Sequence, residues 1–167
     1  MSTLTPRIEK KANGFVITIE EASHPISVVI DCSNINPRVQ KYELTNDAKM
    51  IPNGAIVYRI RALRDIPEIG IRARDYGGWV QSDRNLSQEG ACWIGEDAIV
   101  YGEAQVYGNA QVYGCARVYG HAQVFGCARV YGNALIYERA KIYGDAMAYG
   151  KLMCFDDVHI YTGRHNL

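Results

Sequence analysis

From Val100 onward an aliphatic residue returns at every sixth position: VYGEAQ, VYGNAQ, VYGCAR, VYGHAQ, VFGCAR, VYGNAL, IYERAK, IYGDAM, AYGKLM, CFDDVH, IYTGRH. IGEDAI from Ile94 joins in phase, so 12 hexads run from Ile94 to His165, their pattern loosening after Met147. A short fixed period excludes helical heptads and predicts a solenoid, whose units bury their apolar faces only by stacking on neighbours. Three hexads close an 18-residue coil, so residues 18 apart should stack. The 12 hexads then give about four coils, a rod on the order of 19 Å at roughly 4.8 Å per coil.

The period predicts the interior residue by residue. Position one supplies three core ladders: Val106, Val124, Ile142 and Ile160; Val100, Val118, Ile136 and Cys154; Val112, Val130 and Ala148. Position five supplies Ala104 through Ala146 at six-residue steps, small enough for a tapered interior. Glycine at position three allows the sharp turn each corner requires. Position two is aromatic in nearly every hexad, giving three outer ladders: Tyr107, Phe125, Tyr143 and Tyr161; Tyr101, Tyr119, Tyr137 and Phe155; Tyr113, Tyr131 and Tyr149.

Before the repeat, residues 14 to 31 read as two short strands around a turn at Ser23-His24-Pro25, and Asn34 to Val39 as a linker. The expected division is a small β element over 1–40, a cap and lead-in over 41–93, and the solenoid with its C-terminal closure over 94–167. The 18 Lys+Arg balance 18 Asp+Glu, which removes any global charge argument for nucleic acid. Apolar runs such as Ile26 to Ile30 fall far short of the roughly 20 residues needed to cross a bilayer. No signal-peptide pattern opens the chain, so the expectation is a cytoplasmic protein without a membrane partner. Five cysteines without a CxxC pair (Cys32, Cys92, Cys115, Cys127, Cys154) read as free thiols, and four scattered histidines leave no expected metal site.

The hexads resemble the hexapeptide-repeat, left-handed parallel β-helix family, best known from acyltransferases. That resemblance implies left-handed winding and a homotrimer of parallel solenoids. Glycine departs from the acyltransferase position, where it follows the aliphatic residue directly; here only Ile94-Gly95 does so. The wording upstream is narrower: YRIRALRD, then GGW, NLS and CW before the YGNA-type repeats, over about 41 to 161. It resembles a group of bacteriophage and prophage hexapeptide-repeat proteins. The Gly77-Gly78-Trp79 and Cys92-Trp93 segments read as an N-terminal cap over an otherwise unpaired edge.

Acyltransferases of the family use a histidine as general base, with acyl-CoA between subunits, which makes His121 and His159 the candidates. Both fall on outward positions, in columns with chemically unlike neighbours: Glu103, Arg139 and Asp157 for His121; Gln105, Gln123 and Lys141 for His159. A general base also needs an orienting partner and a sheltered pocket. The segment Tyr58 to Arg74 carries Arg59, Arg61, Arg64, Arg72 and Arg74 against Asp65 and Glu68. It reads either as an anion-binding rim or as an amphipathic strand with solvated arginines. The aromatic ladders, Tyr107, Tyr143, Tyr119 and Tyr137 among them, read either as a binding or subunit surface or as stacks that stabilise the corners.

The sequence thus leads to an all-β, single-stranded left-handed parallel β-helix with a small N-terminal β element and cap. The expected function is non-catalytic binding without a cofactor, by a homotrimer that engages a host protein or ribonucleoprotein. The phage resemblance implies an anti-defence role such as anti-CRISPR inhibition in the bacterial host cell. The alternatives are an acyl-CoA-dependent acyltransferase and a protein that sequesters a nucleotide-like small molecule.

Overall fold

The computed structural model of the chain describes residues 7–11, 14–19, 26–31 and 40–166. The chain divides into two compact units, Met1–Val39 and Gln40–Leu167. In the first, β1 (Arg7–Lys11), β2 (Gly14–Ile19) and β3 (Ile26–Asp31) form an antiparallel meander in sequential order. The two strands expected over 14–31 are β2 and β3, with β1 added ahead of them. Ser23-His24-Pro25, Cys32 and the expected linker from Asn34 to Val39 lie outside the described residues.

The second unit is the β-solenoid. Two-residue strands recur every six residues and pair in parallel with strands 18 residues away: Val112 with Val130, Val118 with Ile136, Val124 with Ile142. All three predicted ladders form, and the position-five alanines have no exposed surface. The side-chain pattern explains the shape. Position one points inward on the strand, position six outward, and positions two to four turn the corner around the left-handed residue at position three. Gly102 (φ 66°) and Gly120 (φ 70°) occupy that place in successive coils, and a Cβ on Gly120 would stand 2.9 Å from the backbone nitrogen of Glu138. Where glycine is absent, Glu96, Glu138 and Asp156 adopt the same left-handed conformation.

The solenoid is longer than the repeat reads. It has about five turns, because the segment expected to be only a lead-in already supplies one. Val80 lies opposite Val100, Leu86 opposite Val106, and Ile94 opposite Val112. The first two spacings are 20 residues and the third 18, since two extra residues sit between Leu86 and Ile94. That excess hides the first coil from a six-residue ruler. At the other end His165 lies opposite Ala148, one residue short of the 18 that separate Val130 from Ala148. The hexad beginning at Ile160 therefore loses phase, and Gly163 (φ 80°) makes its turn.

A cap closes the N-terminal edge. β4 (Tyr42–Met50) pairs with β5 (Ile56–Ala62), and β5 pairs antiparallel with β6 (Tyr76–Val80). β6 in turn runs parallel to Ile99–Val100, so cap and solenoid share one seven-stranded sheet. Gly77 and Gly78 make this junction possible. A Cβ on Gly77 would lie 2.5 Å from the Ile94 carbonyl oxygen, and one on Gly78 would lie 2.6 Å from that of Ala98.

Candidate binding surfaces

Two polar residues, Lys41 and Asn85, are fully buried among the described residues, and both fasten the cap. Lys41 Nζ donates to the Cys92 carbonyl at 2.8 Å and to Cys92 Sγ at 3.0 Å, with the Glu89 and Gly90 carbonyls at 3.3 and 3.4 Å. Burial pushes the Lys41 ammonium below its ordinary pKa, with the neighbouring Cys92 opposing that shift. Asn85 Oδ1 accepts the Gln81 and Ser82 N–H groups, while its Nδ2 donates to the Gly102 and Ala104 carbonyls, both at 2.9 Å. Its hydrogen-bonding capacity is thereby used in full, as a buried amide requires. Neither role is visible in a linear reading, because the partners come from remote stretches. The NLS and CW wording marks this seam.

The aromatic residues form the ladders expected of them except at Tyr161, whose ring is tilted 32° from that of Tyr143 at 6.0 Å. Tyr101 and Tyr119 stack at 5.0 Å, Tyr119 and Tyr137 at 5.1 Å, and Tyr137 and Phe155 at 5.3 Å. Tyr107, Phe125 and Tyr143 stack at 4.9 Å, and Tyr113, Tyr131 and Tyr149 at 5.0 and 5.1 Å. Most of these rings are half-buried. Desolvation raises the pKa of Tyr101, Tyr107, Tyr113 and Tyr119.

The two histidines come to the same face. His121, Arg139 and Asp157 form one column and Gln123, Lys141 and His159 the other, lining a shallow groove of about 800 Å³. The histidines belong to coils two steps apart, roughly 10 Å along the rod. Both are exposed, and neither ring nitrogen forms a hydrogen bond among the described residues. His159 meets Tyr143 edge-on at 6.2 Å, and Arg139 reaches Asp157 at 3.7 Å with both side chains largely in solvent. No orienting partner is assembled around either imidazole among the described residues.

The five arginines do not converge. On β5, Ile60 and Ala62 point into the core while Arg59 and Arg61 face outward, as their alternation predicts. Arg61 forks onto Glu43. Arg59 donates to the Gly77 carbonyl at 3.2 Å and lies over Tyr76 and Trp79, at 5.4 and 5.5 Å from the ring centres. Arg64 reaches the Asp65 carbonyl at 3.4 Å, whereas Arg72 and Arg74 stand on an exposed loop held by Asp75 and Asp65. Lys49 sits 4.0 Å above the Trp79 ring, whose buried Nε1 has no hydrogen-bond partner among the described residues.

Cys115 and Cys127 are exposed on different corners, and Cys92 and Cys154 are buried. Burial raises the Cys154 thiol. No group of three or more metal-ligating side chains forms among the described residues, and no helix among them is long and apolar enough to cross a membrane.

No protein-family model matches the chain, and no curated protein matches it.

Proposed function

We propose that the protein is a non-catalytic binding module, a rigid β-solenoid that presents its side faces to a macromolecular partner. The supporting observation is the set of three aromatic ladders, half-buried and regularly spaced along the rod. Such files offer large apolar area at little entropic cost, because the rings already hold one another in place. The resemblance to phage and prophage hexapeptide-repeat proteins extends the reading. The solenoid winds left-handed, three copies assemble in parallel with one ladder of each turned inward, and the partner is a bacterial host protein or ribonucleoprotein in the cytoplasm. Inhibition of a defence system, such as CRISPR interference, is the activity that fits this setting.

Native mass spectrometry of tagged protein recovered from a bacterial lysate tests the proposal, with Tyr107→Ser/Tyr143→Ser and Tyr119→Ser/Tyr137→Ser variants run alongside. A trimer holding one host macromolecule, released by one ladder variant that keeps its circular dichroism, supports it. Acetyl-CoA turnover that disappears in His121→Ala or His159→Ala would replace the reading with acyl transfer, and a stable monomer would remove the trimer.

A further inference from the structure

One aromatic ladder stops a rung early. The residue that bonds above Tyr113, with its N–H on the Val112 carbonyl at 2.8 Å, is Gly95. It takes the position-two place, where the coils below carry Tyr113, Tyr131 and Tyr149. The upper face of Tyr113 is therefore uncovered by a ladder ring. A cleft of about 320 Å³ occupies the place, lined by Ile69 and Ile71 of the cap loop together with Tyr76 and Trp93. That volume falls at the small end of ligand sites.

The cleft is also polar at defined points. Trp93 is 5% exposed, yet its Nε1 lies 4.0 Å from where a Cβ on Gly95 would stand and donates to nothing among the described residues. Unlike Nε1 of Trp79, this N–H is not sealed from solvent, so it can donate to an acceptor placed in the cleft. The Glu96 carboxylate stands at the rim. Its Oε2 is fixed by the Gly114 N–H at 2.8 Å, which leaves Oε1 as an acceptor without a partner among the described residues. Gln111 adds an amide to the lining. The other two ladders end differently: Gln81 stands above Tyr101 and Ser87 above Tyr107, each bonded to the strand below.

We propose that this cleft is a binding site for a planar nitrogen heterocycle of nucleobase type, stacked on Tyr113 as the missing rung. The indole N–H of Trp93 donates to a ring carbonyl or ring nitrogen, and Glu96 accepts from a ring N–H or amino group. A base carrying both on one edge, as guanine does, satisfies the two together. Base-on-aromatic stacking is a general source of affinity for such rings. The site lies apart from the His121 groove and does not depend on a macromolecular partner.

The test is calorimetric titration with guanosine 5′-monophosphate, followed in parallel by tryptophan fluorescence, with ribose 5-phosphate as the ringless control. Gly95→Tyr is the decisive variant: a Cβ there meets only ordinary contacts, nearest 3.7 Å, and the new ring completes the ladder. The expected result is saturable binding of the nucleotide only, weakened at least tenfold in Gly95→Tyr with an unchanged or higher melting temperature. Glu96→Gln, which keeps an acceptor for Gly114, is expected to weaken binding several-fold and serves if Gly95→Tyr fails to fold. Absence of nucleotide binding at millimolar concentration overturns the assignment. Equal binding of ribose 5-phosphate, or full affinity in Gly95→Tyr or in Glu96→Gln, overturns it as well.

Discussion

Lys41 and Cys92, 51 residues apart, meet at the centre of the cap with Nζ 3.0 Å from Sγ and 2.8 Å from the carbonyl oxygen of the same cysteine. The ammonium also reaches the Glu89 and Gly90 carbonyls, so one side chain gathers the two-residue excess that interrupts the hexad spacing. Replacing it by methionine keeps the stem and leaves the buried Cys92 carbonyl without its donor. The expected cost is about 2–4 kcal/mol, measured by urea unfolding.

The same residue sets a pH dependence. Burial holds the folded pKa of Lys41 below the 10.5 of an exposed lysine, so the unfolded chain binds more protons between the two values. Stability contributed by this group therefore rises as pH climbs through that interval and is flat below it. Unfolding curves at stepped alkaline pH should show the rise in the wild type and lose that component in Lys41→Met.

Gly78 lies with its backbone against the first full coil, where a methyl group would come 2.6 Å from both the Ala98 carbonyl and Ile94 Cγ2. Gly78→Ala must move either backbone or core. Overpacking of this kind costs about 1–3 kcal/mol, and the thermal midpoint should fall accordingly.

Glu138 occupies a left-handed corner at φ 57° and accepts the Asp156 N–H at 2.9 Å. Glu138→Ala keeps the backbone strain and loses the bond, so it should lower stability by about 1 kcal/mol. Glu138→Gly loses the bond but releases the strain, and it should stay near the wild type. Thermal melts of the two variants in parallel check the order.

Ala122 is fully buried between Ala104 and Ala140 in the column of position-five residues. Ala122→Leu inserts three carbons into a space that the neighbouring coils fix from both sides. A loss of about 1–3 kcal/mol is expected, seen as a lower urea midpoint. The column ends in Val158, whose side chain is exposed.

The solenoid was legible because one physical rule, inward residues every sixth place, is written openly from Ile94 to Ile160. It stopped being legible where the rule meets an insertion. Val80 and Leu86 obey the spacing between themselves, yet the two extra residues before Ile94 disconnect them from the series. The cap fastenings were hidden for a different reason. Lys41 and Asn85 look like ordinary surface residues in sequence, and only the fold brings four acceptors to one and two carbonyls to the other. Gly95 was visible as a departure from its own repeat, but its meaning depended on Trp93, Ile69 and Ile71 arriving around it. The arginine segment shows the reverse case: the residues cluster in sequence and disperse in space.

Rings held nearly parallel about 5 Å apart do more than stabilise corners. In the Tyr113 and Tyr131 pair the planes differ by 3°, and in Tyr119 and Tyr137 by 5°. Chromophores in that arrangement share their ultraviolet transitions, and the coupling falls steeply as they separate. The protein therefore carries an optical gauge of its own winding: near-ultraviolet dichroism reads the spacing of the coils directly, without any attached label.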